Sequence, residues 1–155
     1  MNNMLIKIKV NGTEREVLVD PEDRLLDVLR DDFGFKSPKE GCGTGDCGLC
    51  TVLMDGKPVL SCITPAFQAR GREIVTLEGL SNDPLMKNIE ASFRDHHAAQ
   101  CGYCTPAMEI MGYDLLKKVK KPSKEEVKEA ISGTLCRCTG YYDIIDAIHD
   151  TGGVE

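Results

Sequence analysis

Residues 41–52 read Gly-Cys-Gly-Thr-Gly-Asp-Cys-Gly-Leu-Cys-Thr-Val. Cys42, Cys47 and Cys50 stand in C-x4-C-x2-C order, and Cys62 follows after eleven more residues. Thiols at these intervals match the plant-type arrangement that holds a [2Fe–2S] cluster. The glycines suit that chemistry. Two ferric ions, two sulfides and four thiolates sum to −2, and one-electron reduction makes −3. Such charge needs N–H donors aimed at sulfur. Gly41, Gly43, Gly45 and Gly48 let the backbone wrap closely and form an anion-binding nest.

The flanks of this loop predict a small sheet. Ile6, Ile8 and Val10 alternate with Lys7 and Lys9, the period of a half-buried strand over residues 4–10. Asn11-Gly12 is a hairpin turn, with a return strand from Arg15 to Val19. Asp20-Pro21 resembles a helix cap followed by proline at the first helical position. Leu25, Leu26 and Leu29 then share a helical face, and Gly34 ends the segment. Thr51–Met54, Asp55-Gly56 and Pro58–Ser61 make a second hairpin, which folds Cys62 back beside the loop. Ile74 to Leu77 is a last short strand. Residues 1–78 therefore read as a mixed sheet with one helix.

The texture changes after Asn82-Asp83-Pro84. Residues 85–96 carry a helical pattern, and Thr105-Pro106 opens a helix to about Val119. Ser123 with Glu126 forms a capping box before Val127, Ala130 and Ile131, and Gly133 ends that helix. Tyr141 to His149 is a final helix. Residues 79–155 read as all-helical, and the fold class is α+β.

This half holds Cys101-x2-Cys104 and Cys136-x-Cys138. Cys104 directly precedes a helix, where free N–H groups and the helix dipole favour negative charge. Arg137, between two of the cysteines, is placed to offset cluster charge. Two halves of this size have marginal cores, where metal staples are common. Zinc is the main rival, since all-cysteine zinc sites also use C-x2-C pairs, but neither set shows two such knuckles. Eight cysteines as disulfides would allow 105 connectivities, and nothing selects one. Spacing alone leaves the zinc and disulfide readings open.

Other features carry less. Gly43 to Gly48 matches G-x-G-x-x-G, but a cysteine lies inside it and a hairpin follows, where a dinucleotide site needs a helix. His96 and His97 read as a polar helix end rather than Rieske-type ligands, because eight cysteines already complete two four-thiol sets. Met108 and Met111 read as helix packing. Tyr103, Tyr141 and Tyr142 fit cluster shielding and ordinary packing equally well. No Ser/His/Asp set and no P-loop is present, so the chain is expected to lack substrate chemistry of its own.

Composition narrows the setting. The chain has 155 residues, 41% hydrophobic and 28% charged, with a formal charge of −6. An acidic chain is a poor general ligand for nucleic acid or anionic lipid. No apolar run approaches the ~20 residues of a membrane span. The first ten residues alternate polar with apolar and lack a signal peptide's basic start. The expected location is the reducing cytoplasm, where cysteines persist as thiols.

Three stretches together resemble a known family: Gly41–Val52, Gln100-Cys-Gly-Tyr-Cys-Thr-Pro106 and Leu135-Cys-Arg-Cys-Thr-Gly-Tyr141. The chain is similar, over roughly residues 4–150, to the small iron–sulfur subunits of molybdenum hydroxylases, the xanthine oxidase and carbon monoxide dehydrogenase family. The resemblance implies a ferredoxin-like β-grasp N-terminal domain and a C-terminal four-helix domain, with one [2Fe–2S] cluster in each. It implies Cys42, Cys47, Cys50 and Cys62 as ligands of the cluster toward the flavin. Cys101, Cys104, Cys136 and Cys138 are implied ligands of the cluster nearest the pterin, with Gln100 and Cys138 in contact with it. It implies a large molybdopterin-binding subunit and an FAD-binding medium subunit as partners, on separate polypeptides because the chain ends soon after its last motif. Ala107 stands where the family usually has Gly, and Thr134 where Asn is common. Both departures bear on pterin-side detail and spare every cysteine. The function implied is one-electron relay, the alternatives being a free-standing ferredoxin-like carrier and a structural zinc module.

Overall fold

The alternation at the N-terminus becomes a strand. In the computed structural model, which describes residues 3–152, β1 (Met4–Val10) buries Ile6, Ile8 and Val10 and exposes Lys7 and Lys9. It pairs antiparallel with β2 (Thr13–Val19) through a turn at Asn11 and Gly12, φ 50° and 79°. Left-handed values at both turn positions match the right-handed twist of the flanking strands. β3 (Thr51–Met54) and β4 (Lys57–Leu60) form the second hairpin. β5 (Glu73–Val75) lies parallel to β1 and antiparallel to β3. Among the described residues the sheet has five strands in the order β2-β1-β5-β3-β4.

Two local expectations shift. Asp20-Pro21 does not cap a helix. The Asp20 side chain accepts the Glu22 N–H, and Asp23 accepts the Asp20 N–H, so the segment closes as a turn. Helix α1 (Leu25–Asp27) starts later and runs into a wider π turn at Val28–Asp32. Its start is fixed from a distance, since Leu25 N–H donates to Thr64 O and Arg24 bridges to Pro65. That pairing overrides the local capping signal. The last strand likewise stops at Val75, because Thr76 is tied to the first hairpin by two hydrogen bonds with Asn11, of 2.9 and 3.0 Å. Leu77 opens the short helix α2 (Leu77–Leu80) instead.

The second half is helical, as its periodicity predicts. Asp83 caps α3 (Pro84–Asp95) by accepting the N–H groups of Leu85 and Met86. α4 spans Thr105–Lys118, and its N-cap is Cys104 rather than Thr105. Both halves of the Ser123–Glu126 capping box form before α5 (Lys124–Ile131). Tyr141, left-handed at φ 72°, turns the chain into α6 (Tyr142–Thr151). α3 packs on α4 and α6, and α5 packs on the same pair. Met86, Ile89, Met108, Ile131 and Ile144 are fully buried between them, each worth roughly 1.5–3 kcal/mol.

The halves share a core. Leu53 of β3 belongs to the helical cluster, and α4 packs on both β3 and β4. Asp83 is a further tie within the helical half, because its second carboxylate oxygen accepts the Tyr113 hydroxyl at 2.8 Å. Asp83→Ala removes a cap and orphans a buried phenol. Urea unfolding is expected to show a loss of about 2–3 kcal/mol, mostly recovered by Asp83→Asn.

Candidate metal centres

The first four cysteines meet where the 41–50 loop folds against the second hairpin. Cys42 Sγ accepts three backbone N–H groups, from Thr44 at 3.4 Å, Asp46 at 3.3 Å and Cys47 at 3.4 Å. The loop can curl this tightly because Gly43 and Gly45 adopt φ 69° and 88°. Hydrogen bonds from Thr44, then from Cys47, hold the Cys42 thiol down at about 6. Cys42 sits at the exposed rim, whereas Cys47, Cys50 and Cys62 are buried. Cys62 N–H points at Cys50 Sγ at 3.5 Å, and the Ser61 hydroxyl fixes Cys50 O at 2.7 Å. Burial, then contact with Cys50, pushes the Cys62 thiol up to about 11. A Cβ on Gly41 would sit 2.7 Å from Cys47 Sγ, so the backbone already presses on the thiols.

The second set gathers between the start of α4 and residues 134–139. Cys104 is buried at the helix N-terminus, its thiol pushed up to about 12 by burial, then by Cys136 and Cys101. Burial also works to raise Cys136, but hydrogen bonds to Thr139, Cys138 and Cys104 outweigh it and the net shift is downward. Cys136 Sγ lies 3.1 Å from Thr139 Oγ1, and Cys136 N–H donates to the Tyr141 phenol oxygen at 3.0 Å. Cys101 and Cys138 are exposed neighbours whose hydrogen bond, then burial, raises Cys138. Gln100 is exposed beside them.

Among the described residues, no three His, Cys, Asp or Glu side chains converge on a single metal ion. The thiols lie instead in neighbouring pairs: Cys50 with Cys62, Cys104 with Cys136, and Cys101 with Cys138. A two-iron cluster takes two thiolates on each iron, so paired thiols with N–H groups aimed at sulfur fit it.

The two corners touch, which the sequence did not reveal. Leu135 N–H donates to Cys47 O at 2.9 Å, joining a residue of one set to the neighbour of Cys136 in the other. Gly48, at φ 73°, lies flat on the backbone of Gly133 and Thr134. Only glycine fits there, because a Cβ would collide with the Gly133 carbonyl oxygen. The one visible signal was a glycine at each side of the seam. Tyr103 adds a second tie across the halves, its hydroxyl donating to Glu40 O at 2.8 Å.

The remaining candidates sort out by position. Tyr141 supports Cys136, while Tyr142 is 78% exposed. His96 ends α3 and lies 3.1 Å from Asp150. Met108 is fully buried and Met111 half-buried. The glycine-rich loop leads into β3, not a helix. Arg137 is exposed. Ala107 and Thr134 are both buried, the first on α4 and the second at the seam.

Comparison with known proteins agrees with this geometry. Residues 8–74 match the 2Fe-2S iron-sulfur cluster binding domain, and residues 76–149 match the [2Fe-2S] binding domain. The nicotinate dehydrogenase small FeS subunit of Eubacterium barkeri is 46% identical, covering 96% of this chain and 94% of its own. The chain is a small iron–sulfur subunit of the molybdenum hydroxylase family. The nicotine 6-hydroxylase small subunit of Paenarthrobacter nicotinovorans is 47% identical over 96% of this chain and 89% of its own. Quinoline 2-oxidoreductase from Pseudomonas putida 86 superposes with a TM-score of 0.92 at 46% identity, covering 98% of this chain and 94% of that one. This iron–sulfur subunit is thus an electron-transfer component of a multi-subunit oxidoreductase, with two 2Fe-2S-binding domains. The zinc and disulfide readings do not hold for it.

Gly48→Ala tests the seam. Thermal unfolding of the cluster-loaded subunit is expected to show a loss on the order of 3 kcal/mol, from a steric clash combined with an unfavourable positive φ. Thr51→Ala, which removes only the hydroxyl bond to Gly48 O, is expected to cost about 1 kcal/mol.

Proposed function

We propose that the subunit carries single electrons from a molybdopterin-binding large subunit, through two [2Fe–2S] clusters, to an FAD-binding medium subunit. Residues 1–78 and 79–155 are the two cluster-binding units of this reading. Cys42, Cys47, Cys50 and Cys62 hold one cluster, and Cys101, Cys104, Cys136 and Cys138 hold the other. Each cluster, when bound, supplies a reversible one-electron couple. The observation that carries the reading is the backbone contact between Cys47 O and Leu135 N–H, which supports direct coupling of the two thiol sets.

The chain's own residues set the conditions for that transfer. Three N–H donors offset negative charge at Cys42, and the α4 N-terminus does so at Cys104. Burial of Cys47, Cys50, Cys62 and Cys104 keeps water from both sites. Cys101, Cys138 and Gln100 are exposed at one corner, with Tyr103 and Leu135 nearby as exposed apolar surface. That corner is the proposed seat of the large subunit, with Gln100 and Cys138 against the pterin. Ile63 and Phe67, exposed beyond Cys62, mark the proposed flavin side. A free-standing carrier needs no second thiol corner, so the paired sets favour a fixed subunit.

No helix among the described residues is long and apolar enough to cross a membrane, and we place the complex in the cytoplasm. Three relatives are named for nicotinate, nicotine and quinoline, which favours an aromatic N-heterocycle as substrate, selected by the large subunit.

Cys104→Ser and Cys138→Ser in the assembled complex test the relay order. Substrate-dependent acceptor reduction is expected to fall about 100-fold or more. Rapid-freeze EPR should show substrate electrons failing to reach the N-terminal cluster. Normal turnover with the normal acceptor in either variant contradicts the order.

A further inference from the structure

α3 and α4 pack on each other. Between them lies a half-open cavity of about 440 Å³, lined by Glu90, Arg94, His97, Ala99, Thr105 and Glu109. Glu109 is only 6% exposed. Its neighbours on α4, Met108 and Ile110, are apolar and buried, so packing alone would favour an apolar residue here. The Glu109 carboxyl lines the cavity and makes no hydrogen bond among the described residues, so an incoming group can reach it.

The charges around it are few. Glu90 and Arg94 on α3 act on the Glu109 carboxyl, and no hydrogen bond from any packed element does so among the described residues. Burial raises its pKa to about 7, Glu90 adds to that, and Arg94 opposes it. His97 lines the mouth without acting on the carboxyl. Once Glu109 ionises, two carboxylates face one guanidinium and the pocket is one positive charge short. Arg94 disfavours a divalent ion, and among the described residues no group of three His, Cys, Asp or Glu side chains is placed to hold one. A single charge on a long flexible stem meets the deficit. Ala99 and Thr105, which line the cavity, bracket the segment assigned above to the large subunit.

We infer that this pocket receives a lysine or arginine side chain from the molybdopterin-binding large subunit, with Glu109 as its buried counter-ion. The inference rests on the relay assignment and adds a docking contact to it. In the free chain Glu109 keeps its proton up to about pH 7. Pairing with a cation needs the carboxylate, so association releases a proton below that pH. Affinity therefore rises as pH climbs through neutrality and then levels.

The test is association of the cluster-loaded full chain with purified large subunit, by sedimentation and calorimetry at about pH 6 and pH 8. The wild-type chain is expected to bind about tenfold tighter at the higher pH. Glu109→Gln keeps the shape and removes the charge, so its thermal stability is expected to match or exceed wild type at pH 8. It is expected to bind about 10–100-fold more weakly there, with that pH dependence lost. Unchanged affinity and pH profile in Glu109→Gln overturns the inference and leaves the relay intact. Weaker binding with the pH profile retained also overturns it, because a structural role would do the same. A wild-type chain that binds no large subunit at either pH overturns the relay assignment and the inference together.

Discussion

One backbone hydrogen bond organises the molecule, from Leu135 N–H to Cys47 O. It joins the loop that gathers the first thiols to the segment that supplies the last two. Gly48 can lie against Gly133 only because it has no Cβ. The hydrogen bond acts together with the Tyr103 to Glu40 bond to join the sheet and the helices. Beside it, Leu53 lies in the helical core and α4 packs across β3 and β4. A relay between centres depends on fixed separation, and the shared core supplies the stiffness that a hinge would remove.

The two thiol corners solve the same charge problem with different parts. The first uses a loop whose N–H groups turn inward on Cys42. The second uses a helix terminus at Cys104 and a phenol oxygen that anchors the Cys136 N–H. In the first, Cys42 is exposed and the rest are buried; in the second, Cys101 and Cys138 are exposed, Cys136 is half-buried and Cys104 is buried. Exposure at the rim favours contact with a partner, while burial of the remainder limits solvent access. The exposed apolar residues near these rims, Tyr103, Leu135, Ile63 and Phe67, are the kind of surface that subunit contact covers.

Much of this was legible in the sequence, for identifiable reasons. Strands β1 to β4 follow from alternation and two Asn-Gly or Asp-Gly turns, signals that are local. The Ser123 capping box is local too, and it formed, whereas the Asp83 cap was not read from the sequence. Errors fell where distant residues decide. Arg24 and Leu25 pair with Pro65 and Thr64, so α1 starts after the Asp20-Pro21 signal. Asn11 captures Thr76 and ends β5 early. Cysteine spacing announced both thiol sets, since metal chemistry constrains short intervals. The seam showed only as a glycine on each side and the buried Glu109 not at all, because each depends on which backbone or helix lies opposite.

The most direct measurement is low-temperature EPR of the dithionite-reduced protein, with iron determined and spins counted per chain. The expected result is about two spins, in two distinguishable S = 1/2 signals, one from each [2Fe–2S] centre. A single spin from fully metallated protein, or zinc without any signal, would contradict two coupled clusters held across one backbone seam.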